Sequence, residues 1–137
     1  MKAKITHVTL VVNNQQAAVD FYTQKVGFEK KADIAGPNNY RWVTVGPEGD
    51  SMEISLFPVG FRNQDGSSST WRPGNTPPII MNVDDIKKTF DDLKSRGVQF
   101  KQEKPDETPW SITAVFSDPD GNLFQINQMR NSQSWTK

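Results

Sequence analysis

Hydrophobic residues recur along the chain with two periods, one typical of β-strands and one typical of α-helices. Residues 5–12 (ITHVTLVV) alternate, so that Val8 and Leu10 share one face while His7 and Thr9 share the other. The alternation predicts a strand with one buried face and one face of hydrogen-bonding side chains.

A helical period follows in residues 15–28, where Ala18, Phe21 and Tyr22 fall on one stripe. An asparagine at position 13 or 14 suits the N-cap, and Gly27 suits the position just beyond the helix. Three further runs then predict strands near 29–34, 40–45 and 52–57. The first half of the chain therefore predicts the order β-α-β-β-β.

The second half predicts the same order. A strand is expected over 79–83, and Asp84 or Asp85 can cap the helix that follows. The apolar residues of this helix lie at i, i+4 and i+7 and form one buried stripe, which consists of Ile86, Phe90 and Leu93. Strands are then predicted near 98–102, 111–117 and 123–128.

The repeat is visible in the residues as well as in the order of elements. Residues 46–55 (GPEGDSMEIS) lie over residues 118–127 (DPDGNLFQIN) at an offset of 72, with a proline, a glycine and an isoleucine in common. At the start of each half the offset is 71, which places His7 over Pro78. We interpret the chain as a single domain built from a duplicated module. Its parts are a first module (4–57), a connection without regular structure (58–78), a second module (79–128) and a polar tail (129–137).

The DPDG sequence at 118–121 predicts a tight turn with a structural role. Pro119 and Gly121 suit a β-turn, and the Asp118 carboxylate can accept backbone N–H groups.

Polar side chains occupy one face of three predicted strands. Besides His7 in the first strand, Glu53 and Ser55 share a face in one strand, and Gln125 and Asn127 share a face in another. A solvated face usually collects lysine, glutamate and arginine, whereas these faces have hardly a lysine. Such faces are typical of a concave surface where polar groups meet a ligand.

Composition narrows the function classes. The chain of 137 residues has 16 basic and 16 acidic residues, so no basic excess indicates nucleic-acid binding and no charged arm indicates a membrane surface. It has no cysteine, which excludes disulfides, thiolate metal sites and a catalytic thiol. The N-terminal stretch has no cleavage-site pattern, and no apolar run reaches the ~18 residues of a membrane span. A cytoplasmic globular protein is the expectation.

With these features the chain resembles the vicinal-oxygen-chelate superfamily, which includes glyoxalase I, bleomycin-resistance proteins, fosfomycin-resistance enzymes and extradiol dioxygenases. The resemblance covers residues 4–128 and depends on three stretches, HVTLVVNNQQAAVDFYTQKVGF, VDDIKKTFDDLKSRGV and FSDPDGNLFQI. It implies an α+β fold in which two paired βαβββ modules have sheets curled around a cleft. It also implies a homodimer, because a chain of this type often completes its cleft against a two-fold mate.

The resemblance further implies a divalent-metal site at four positions, which here are His7, Glu53, Pro78 and Gln125. Pro78 has no side-chain donor and the Gln125 amide is a weak ligand, so this site is incomplete. The chain contains one histidine, and therefore a site with two histidines and one carboxylate cannot form within it. The expected cofactor is either none or a weakly bound Zn²⁺, Ni²⁺ or Mn²⁺. The structural alternatives are a hydrogen-bonded His7 in a pocket wall and a Glu53 that serves only as a pocket carboxylate.

Aromatic residues supply a second argument for a binding surface. Trp42, Phe57, Trp71 and Trp110 lie in strands or loops that would rim the cleft, and flat rings suit a planar or hydrophobic ligand. The alternative is that Trp42 and Phe57 are ordinary core residues. Strand parity does not decide whether Arg41 or Trp42 faces inward. The candidate ligand-binding residues are Thr9, Arg41, Trp42, Ser55, Phe57, Trp110, Gln125 and Asn127.

Two functions are consistent with these residues. The first is a small-molecule binding protein of the bleomycin-resistance kind, with a cavity and a degenerate metal site. The second is a metal-dependent lyase or isomerase of the glyoxalase kind, in which His7 and Glu53 hold the metal and Glu53 or a bound water serves as the catalytic base. Ring-cleaving dioxygenase chemistry is disfavoured, and the expectation favours the binding protein.

Overall fold

The computed structural model describes residues 1–63, 65–74 and 76–130. The chain divides into two compact units, Met1–Gly74 and Asn75–Lys137, and each contains one mixed β-sheet and one helical segment. The fold is therefore α+β, and the order of elements in each unit begins β-α-β, as the sequence predicts. Among the described residues, no helix is long and apolar enough to cross a membrane.

The first unit contains a four-stranded sheet. Its strands are β1 (His7–Val12), β2 (Glu29–Ala35), β3 (Arg41–Gly46) and β4 (Glu53–Pro58). They lie in the order β1-β4-β3-β2, in which β1 and β4 are parallel and the other neighbours are antiparallel. The first and last strands of the module are therefore direct neighbours, although residues 13–52 separate them in the chain.

The helical segment of this unit changes its winding halfway. Helix α1 spans Gln15–Asp20, and a π-helical turn, Phe21–Val26, continues it. The Asn14 side chain caps the helix by accepting the N–H of Ala17 at 2.8 Å. Gly27 ends the segment with φ of 89°, a left-handed conformation that favours glycine. The sequence predicted both ends of the helix and missed the π turn.

The core of the first unit lies between this helical segment and one face of the sheet. Alternate residues of β1, β3 and β4 are buried there together with the apolar residues of the helical segment. These core residues are Leu10, Val12, Ala18, Val19, Phe21, Tyr22, Val43, Val45, Ile54 and Leu56. Each valine, leucine, isoleucine or phenylalanine side chain among them contributes roughly 1.5–3 kcal/mol when it is fully buried. The opposite face of the sheet is left for other contacts.

The second unit contains a five-stranded sheet and one helix. Its elements are β5 (Ile79–Asn82), α2 (Ile86–Ser95), β6 (Gln99–Phe100), β7 (Asp106–Glu107), β8 (Ser111–Ser117) and β9 (Leu123–Met129). The strand order is β5-β9-β8-β6, with β7 also paired to β8. As in the first unit, the first and last strands are parallel neighbours.

Helix α2 buries the stripe that its sequence predicts. Ile86, Phe90 and Leu93 are all buried, and the Phe90 ring packs against Phe100 at a centroid distance of 4.3 Å. Asp85 is the N-cap, since its side chain accepts the Lys88 N–H at 3.2 Å.

The turn before β9 also has the predicted structural role. One carboxylate oxygen of Asp118 accepts the backbone N–H groups of Asp120 and Asn122, each at 2.8 Å. The other oxygen accepts the Asn122 side-chain amide at 2.9 Å. Asp118 is almost completely buried, so these bonds hold the turn in a fixed conformation.

Three details differ from the sequence prediction. The predicted strand 98–102 is only two residues long, and the short strand β7 was not predicted. The connection 58–78 contains an antiparallel bridge between Arg62 and Ser68, where the prediction had no regular structure. Of the predicted tail 129–137, residues 131–137 lie outside the described residues.

Candidate functional site

The most polar part of the first unit lies on the face of its sheet that is turned away from the helical segment. His7 on β1 is the register partner of Glu53 on β4, and the His7 Nε2 atom lies 3.9 Å from the Glu53 Oε1 atom. The two side chains are 36% and 29% exposed, so both are accessible to a ligand. The other ring nitrogen, Nδ1, lies 2.8 Å from the Thr6 hydroxyl. An imidazole and a carboxylate are therefore adjacent, as the resemblance implied.

A buried hydroxyl holds the Glu53 carboxylate in place. Thr44 on β3 is fully buried, and its Oγ1 donates to Glu53 Oε1 at 2.5 Å. Hydrogen bonds from a hydroxyl to a carboxylate are short and stronger than neutral ones. The bond holds the Glu53 carboxylate next to strand β3. Sequence reasoning missed Thr44, although the alternation of residues 40–45 places it on the same face as Trp42.

A row of small hydroxyl residues crosses the middle of this face. Thr9 on β1 and Thr44 on β3 are both register partners of Ser55 on the central strand β4. The Thr9 and Ser55 hydroxyls lie 3.0 Å apart. The rings of His7 and Trp42 approach each other to a centroid distance of 5.5 Å with an interplanar angle of 58°. Small side chains in the row leave room for this approach of two rings from strands on either side of β4.

Phe57 extends the same face toward the connection between the modules. It shares strand parity with Glu53 and Ser55, and its ring lies 5.1 Å from Trp71 and 5.4 Å from Phe61. We call the surface formed by His7, Thr9, Trp42, Glu53, Ser55 and Phe57 the central face. It has aromatic rings near its ends and hydroxyl groups in the middle.

The structure shows which of Arg41 and Trp42 lies on which face of β3, a question that the sequence left open. Trp42 belongs to the central face, and Arg41 lies on the other side of β3, where its guanidinium makes two hydrogen bonds to Asp33 at 2.9 and 2.8 Å. The Arg41 and Lys30 groups beside Asp33 hold the pKa of that carboxyl well below its ordinary range. The same contact raises the pKa of Arg41. Arg41 is thus engaged within its own sheet.

The second unit has a corresponding polar face. The Gln125 amide donates to the Asn127 Oδ1 atom at 2.9 Å, and Asn127 is almost completely buried. The register partner of Gln125 on β5 is Ile80, which is 56% exposed. Trp110, just before β8, is 64% exposed. The convergence of Gln125 with His7 and Glu53 in one hollow stays a prediction.

The register corrects the expected counterpart of His7. The sequence offset of 71 placed Pro78 there, yet Pro78 precedes β5, and Ile80 is the residue opposite Gln125. Pro78 and Ile80 are two residues apart, so strand geometry places them on the same face. Both are apolar, and the counterpart of His7 is therefore an apolar side chain in either case. The position supplies no metal ligand.

The first unit offers few of the ligands that a divalent metal ion needs. His7 and Glu53 supply one imidazole and one carboxylate, and no group of three or more His, Cys, Asp or Glu side chains is placed for a metal in the described part of the chain. Catalytic zinc sites usually have three protein ligands. The pair by itself therefore does not fit a tightly held divalent ion.

Comparison with known proteins gives a consistent family. A family model described as the glyoxalase/bleomycin resistance protein/dioxygenase superfamily matches residues 4–126. The uncharacterized protein YurT of Bacillus subtilis (strain 168) is 35% identical over 131 residues, which are 91% of this chain and 98% of YurT.

Two solved structures are similar in both sequence and fold. A member of the same superfamily from Sphaerobacter thermophilus is 34% identical with a TM-score of 0.79, over 93% of this chain and 98% of that one. TnmS3, an antibiotic binding protein from Streptomyces sp. CB03234, is 31% identical with a TM-score of 0.76, over 93% of this chain and 97% of that one. Both similarities extend over nearly the whole length of each chain.

Proposed function

Because the chain belongs to the glyoxalase/bleomycin resistance protein/dioxygenase superfamily, we propose that it binds a small planar molecule against the central face of its first unit. The observation that carries the proposal is the position of the Trp42 ring, 5.5 Å from the His7 imidazole, which in turn lies 3.9 Å from Glu53. A flat apolar wall thus adjoins two groups that can orient a polar substituent. Ligand sites typically combine apolar walls with a few placed polar groups.

The composition of the central face favours a flat ligand with few polar substituents. Trp42 and Phe57 offer ring surfaces, whereas the Thr9 hydroxyl already bonds the hydroxyl of the buried Ser55 at 3.0 Å. A ligand therefore gains mainly by covering apolar rings and by replacing water near His7. The similarity to an antibiotic binding protein supports a small-molecule ligand of this kind.

The proposal extends to some residues of the second unit and leaves one candidate out. Gln125, Asn127 and Trp110 remain candidate ligand-binding residues of the second unit. Arg41 is left out, because its guanidinium is paired with Asp33 on the other side of β3. We also propose that the chain is a single domain with modules 4–57 and 79–128. In the same proposal the protein is a homodimer with a cytoplasmic location. Light scattering after size exclusion tests the homodimer directly.

A binding experiment with a panel of planar aromatic compounds tests the proposal. The protein is screened by thermal shift, and each compound that raises the melting temperature is then measured by isothermal titration calorimetry. We expect Trp42→Ala to weaken binding at least about tenfold, since it removes both ring contact and buried apolar area. Trp42→Phe should retain much of the affinity, and Lys87→Ala, at an exposed position of α2, should retain all of it.

Two results would contradict the proposal. One is an unchanged affinity in Trp42→Ala when circular dichroism shows that the variant is folded. The other is a panel in which no planar compound stabilises the wild-type protein while the matched saturated compounds do.

The proximity of His7 and Glu53 also supports a second candidate, a metal-dependent lyase or isomerase of the glyoxalase type. In that function His7 and Glu53 would be ligands of Zn²⁺, Ni²⁺ or Mn²⁺. A divalent ion held there would supply Lewis-acid chemistry, and the Glu53 carboxylate would be the base for a proton on a carbon next to a carbonyl group. The Thr44 hydroxyl would keep that carboxylate oriented.

Metal analysis separates the two candidates. The protein is purified without a chelator or an affinity tag, and bound divalent metal is measured in the wild type and in His7→Ala. Near-stoichiometric metal that is lost in His7→Ala would favour the enzyme over the binding protein. A metal content that is low in both, together with stabilisation by a planar compound, would support the binding protein.

A further inference from the structure

A cavity of the first unit lies outside the central face. Its volume is about 820 Å³, within the range of roughly 300–1,000 Å³ that is typical of small-molecule sites. We call it the hairpin cavity, because it lies between the turn that joins β2 to β3 and the start of the connection after β4. It is lined by Gln15, Pro37, Asn38, Asn39, Tyr40, Pro58, Phe61, Arg62 and Asn63.

Backbone hydrogen bonds hold both walls of the hairpin cavity. In the first wall the N–H of Tyr40 donates to the Pro37 carbonyl at 3.1 Å, across two asparagines with φ of 60° and 61°. Positive φ at both central residues is typical of a type I′ hairpin turn, which asparagine tolerates. In the second wall Ser69 N–H donates to the Phe61 carbonyl at 2.7 Å. The cavity is therefore built from two hydrogen-bonded hairpins.

An aromatic contact joins the two walls. The Tyr40 and Phe61 rings meet edge to face at a centroid distance of 5.5 Å and an interplanar angle of 85°. Both residues are partly exposed, so part of each ring remains available to a ligand. A planar group placed against these rings would make the offset or edge contacts that aromatic pairs prefer.

The lining has one cation and no carboxylate. Arg62 is exposed, and its described hydrogen bond is from Nη1 to the Gly66 carbonyl at 2.9 Å, which leaves most of its donors for a ligand. No ion pair among the described residues includes Arg62. The nearby carboxylate of Asp65 is instead bonded to the Ser67 N–H and hydroxyl at 2.9 and 2.6 Å.

The amide of Gln15 has a defined orientation at the cavity. Its Nε2 donates to the carbonyl oxygens of Arg41 and Leu56, both at 2.9 Å. Because an amide NH₂ has two donors, both are used, and Gln15 can offer only its oxygen as an acceptor. A ligand hydroxyl or N–H group is the complement to that oxygen.

From this lining we infer that the hairpin cavity is a second ligand site, which binds a planar aromatic acid. The carboxylate pairs with the Arg62 guanidinium, and the ring packs against Tyr40 and Phe61. None of these three residues belongs to the central face, although the Phe61 ring contacts Phe57 of that face at a centroid distance of 5.4 Å. The charge recognition by Arg62 does not depend on the ligand of the central face.

The test uses 1-naphthoate as the acidic probe and 1-naphthamide as its neutral counterpart. Binding to the full chain is measured by titration calorimetry at low ionic strength, because salt screens an exposed charge pair. We expect naphthoate to bind at least about tenfold more tightly than naphthamide, and Arg62→Gln to remove that preference. Arg72→Gln is the matched control, because Arg72 lies in the same connection and does not line the cavity.

A second variant separates loss of charge recognition from loss of fold. Asn38→Asp adds a carboxylate to the lining at a left-handed position that aspartate also tolerates. We expect it to weaken naphthoate binding and to leave naphthamide binding unchanged. Because naphthoate can also bind the central face, the component of its binding that Arg62→Gln removes is the readout of the hairpin cavity. That component should keep its wild-type affinity in Trp42→Ala.

Three outcomes would overturn the inference. The first is equal affinity for the acidic and the neutral probe, and the second is an equal loss in Arg62→Gln and Arg72→Gln. The third is a loss of naphthoate binding in Trp42→Ala while Arg62→Gln binds normally, which would place the probe on the central face. That third result would leave the proposed function intact and refute only the second site.

Discussion

Thr44→Val tests how firmly the central face holds the Glu53 carboxylate. The variant keeps the branched shape of the side chain and removes the hydroxyl that donates to Glu53 Oε1 at 2.5 Å. A hydrogen bond to a charged group contributes roughly 1.5–3 kcal/mol. The Glu53 side chain is 29% exposed, so water can replace part of the lost bond, and the added methyl group of valine gains some burial. We expect a net loss of about 1 kcal/mol in the free energy of unfolding at pH 7.

A double-mutant cycle isolates the bond from the gain in apolar burial. Urea unfolding is measured for the wild type, Thr44→Val, Glu53→Ala and the double variant, with circular dichroism and fluorescence transitions required to coincide. The expected coupling energy is about 1–2 kcal/mol. Thr9→Val with Ser55→Ala is the control cycle, because that pair is neutral at 3.0 Å and should couple by only about 0.5–1 kcal/mol.

The result that would refute this reasoning is a coupling in the Thr44 and Glu53 cycle no larger than that in the control cycle. Glu53 would then not depend on the Thr44 hydroxyl for its orientation. In the proposed isomerase the same variant should lower the rate of the proton transfer more than it lowers affinity. In the proposed binding protein it should change only the affinity.

Three further predictions concern the stability of the fold. Asp118→Ala should destabilise the protein by about 2–4 kcal/mol in urea unfolding, since it removes the acceptor of two backbone N–H groups and a side-chain amide; a loss below that of Asp118→Asn would contradict it. Gly46→Ala should cost about 1–3 kcal/mol, because a Cβ there would lie 2.9 Å from the Met52 carbonyl oxygen. Gly36→Ala, where a Cβ meets ordinary contacts at 3.5 Å, is its control, and equal effects of the two would refute the steric argument. Asp33→Asn should lose up to about 1 kcal/mol at pH 7, because its partly exposed ion pairs are screened by water. The depressed pKa of Asp33 stabilises the fold above the ordinary carboxyl pKa of about 4. Unfolding curves of wild type and variant should therefore converge as the pH falls below that value, and a constant difference would exclude the ion pair as the cause.

Local patterns in the sequence predicted the elements that depend on near neighbours. The N-cap at Asn14 involves the N–H three residues later, and the Asp118 turn involves groups within four residues. The buried stripe of α2 follows from the 3.6-residue period alone. Interactions of this kind depend only on residues that are close in the sequence. They can therefore be predicted without knowledge of the rest of the fold.

The candidate site was only partly predictable. Alternation and resemblance together placed His7 and Glu53 on the polar side of β1 and β4, and the structure puts them in register. The same alternation did not show which face of β3 is the buried one, because both assignments of Arg41 and Trp42 give the strand one apolar and one polar face. Only the packing of β3 against the helical segment, with Val43 buried, decided the choice.

Strand register and the connection between the modules were decided by tertiary structure. The sequence offset of 71 placed Pro78 over His7, whereas the strand pairing makes Ile80 the residue opposite Gln125. His7 lies seven positions before its helix cap Asn14 and Ile80 lies five positions before its helix cap Asp85, and a comparison without gaps cannot show this difference. The bridge between Arg62 and Ser68, which forms one wall of the hairpin cavity, likewise depends on backbone partners and not on side-chain periodicity. The sequence by itself thus determined which residues share a face, because that follows from backbone geometry within each strand. Which faces and strands become neighbours was left to the three-dimensional pairing of distant segments, because loop closure and packing decide it.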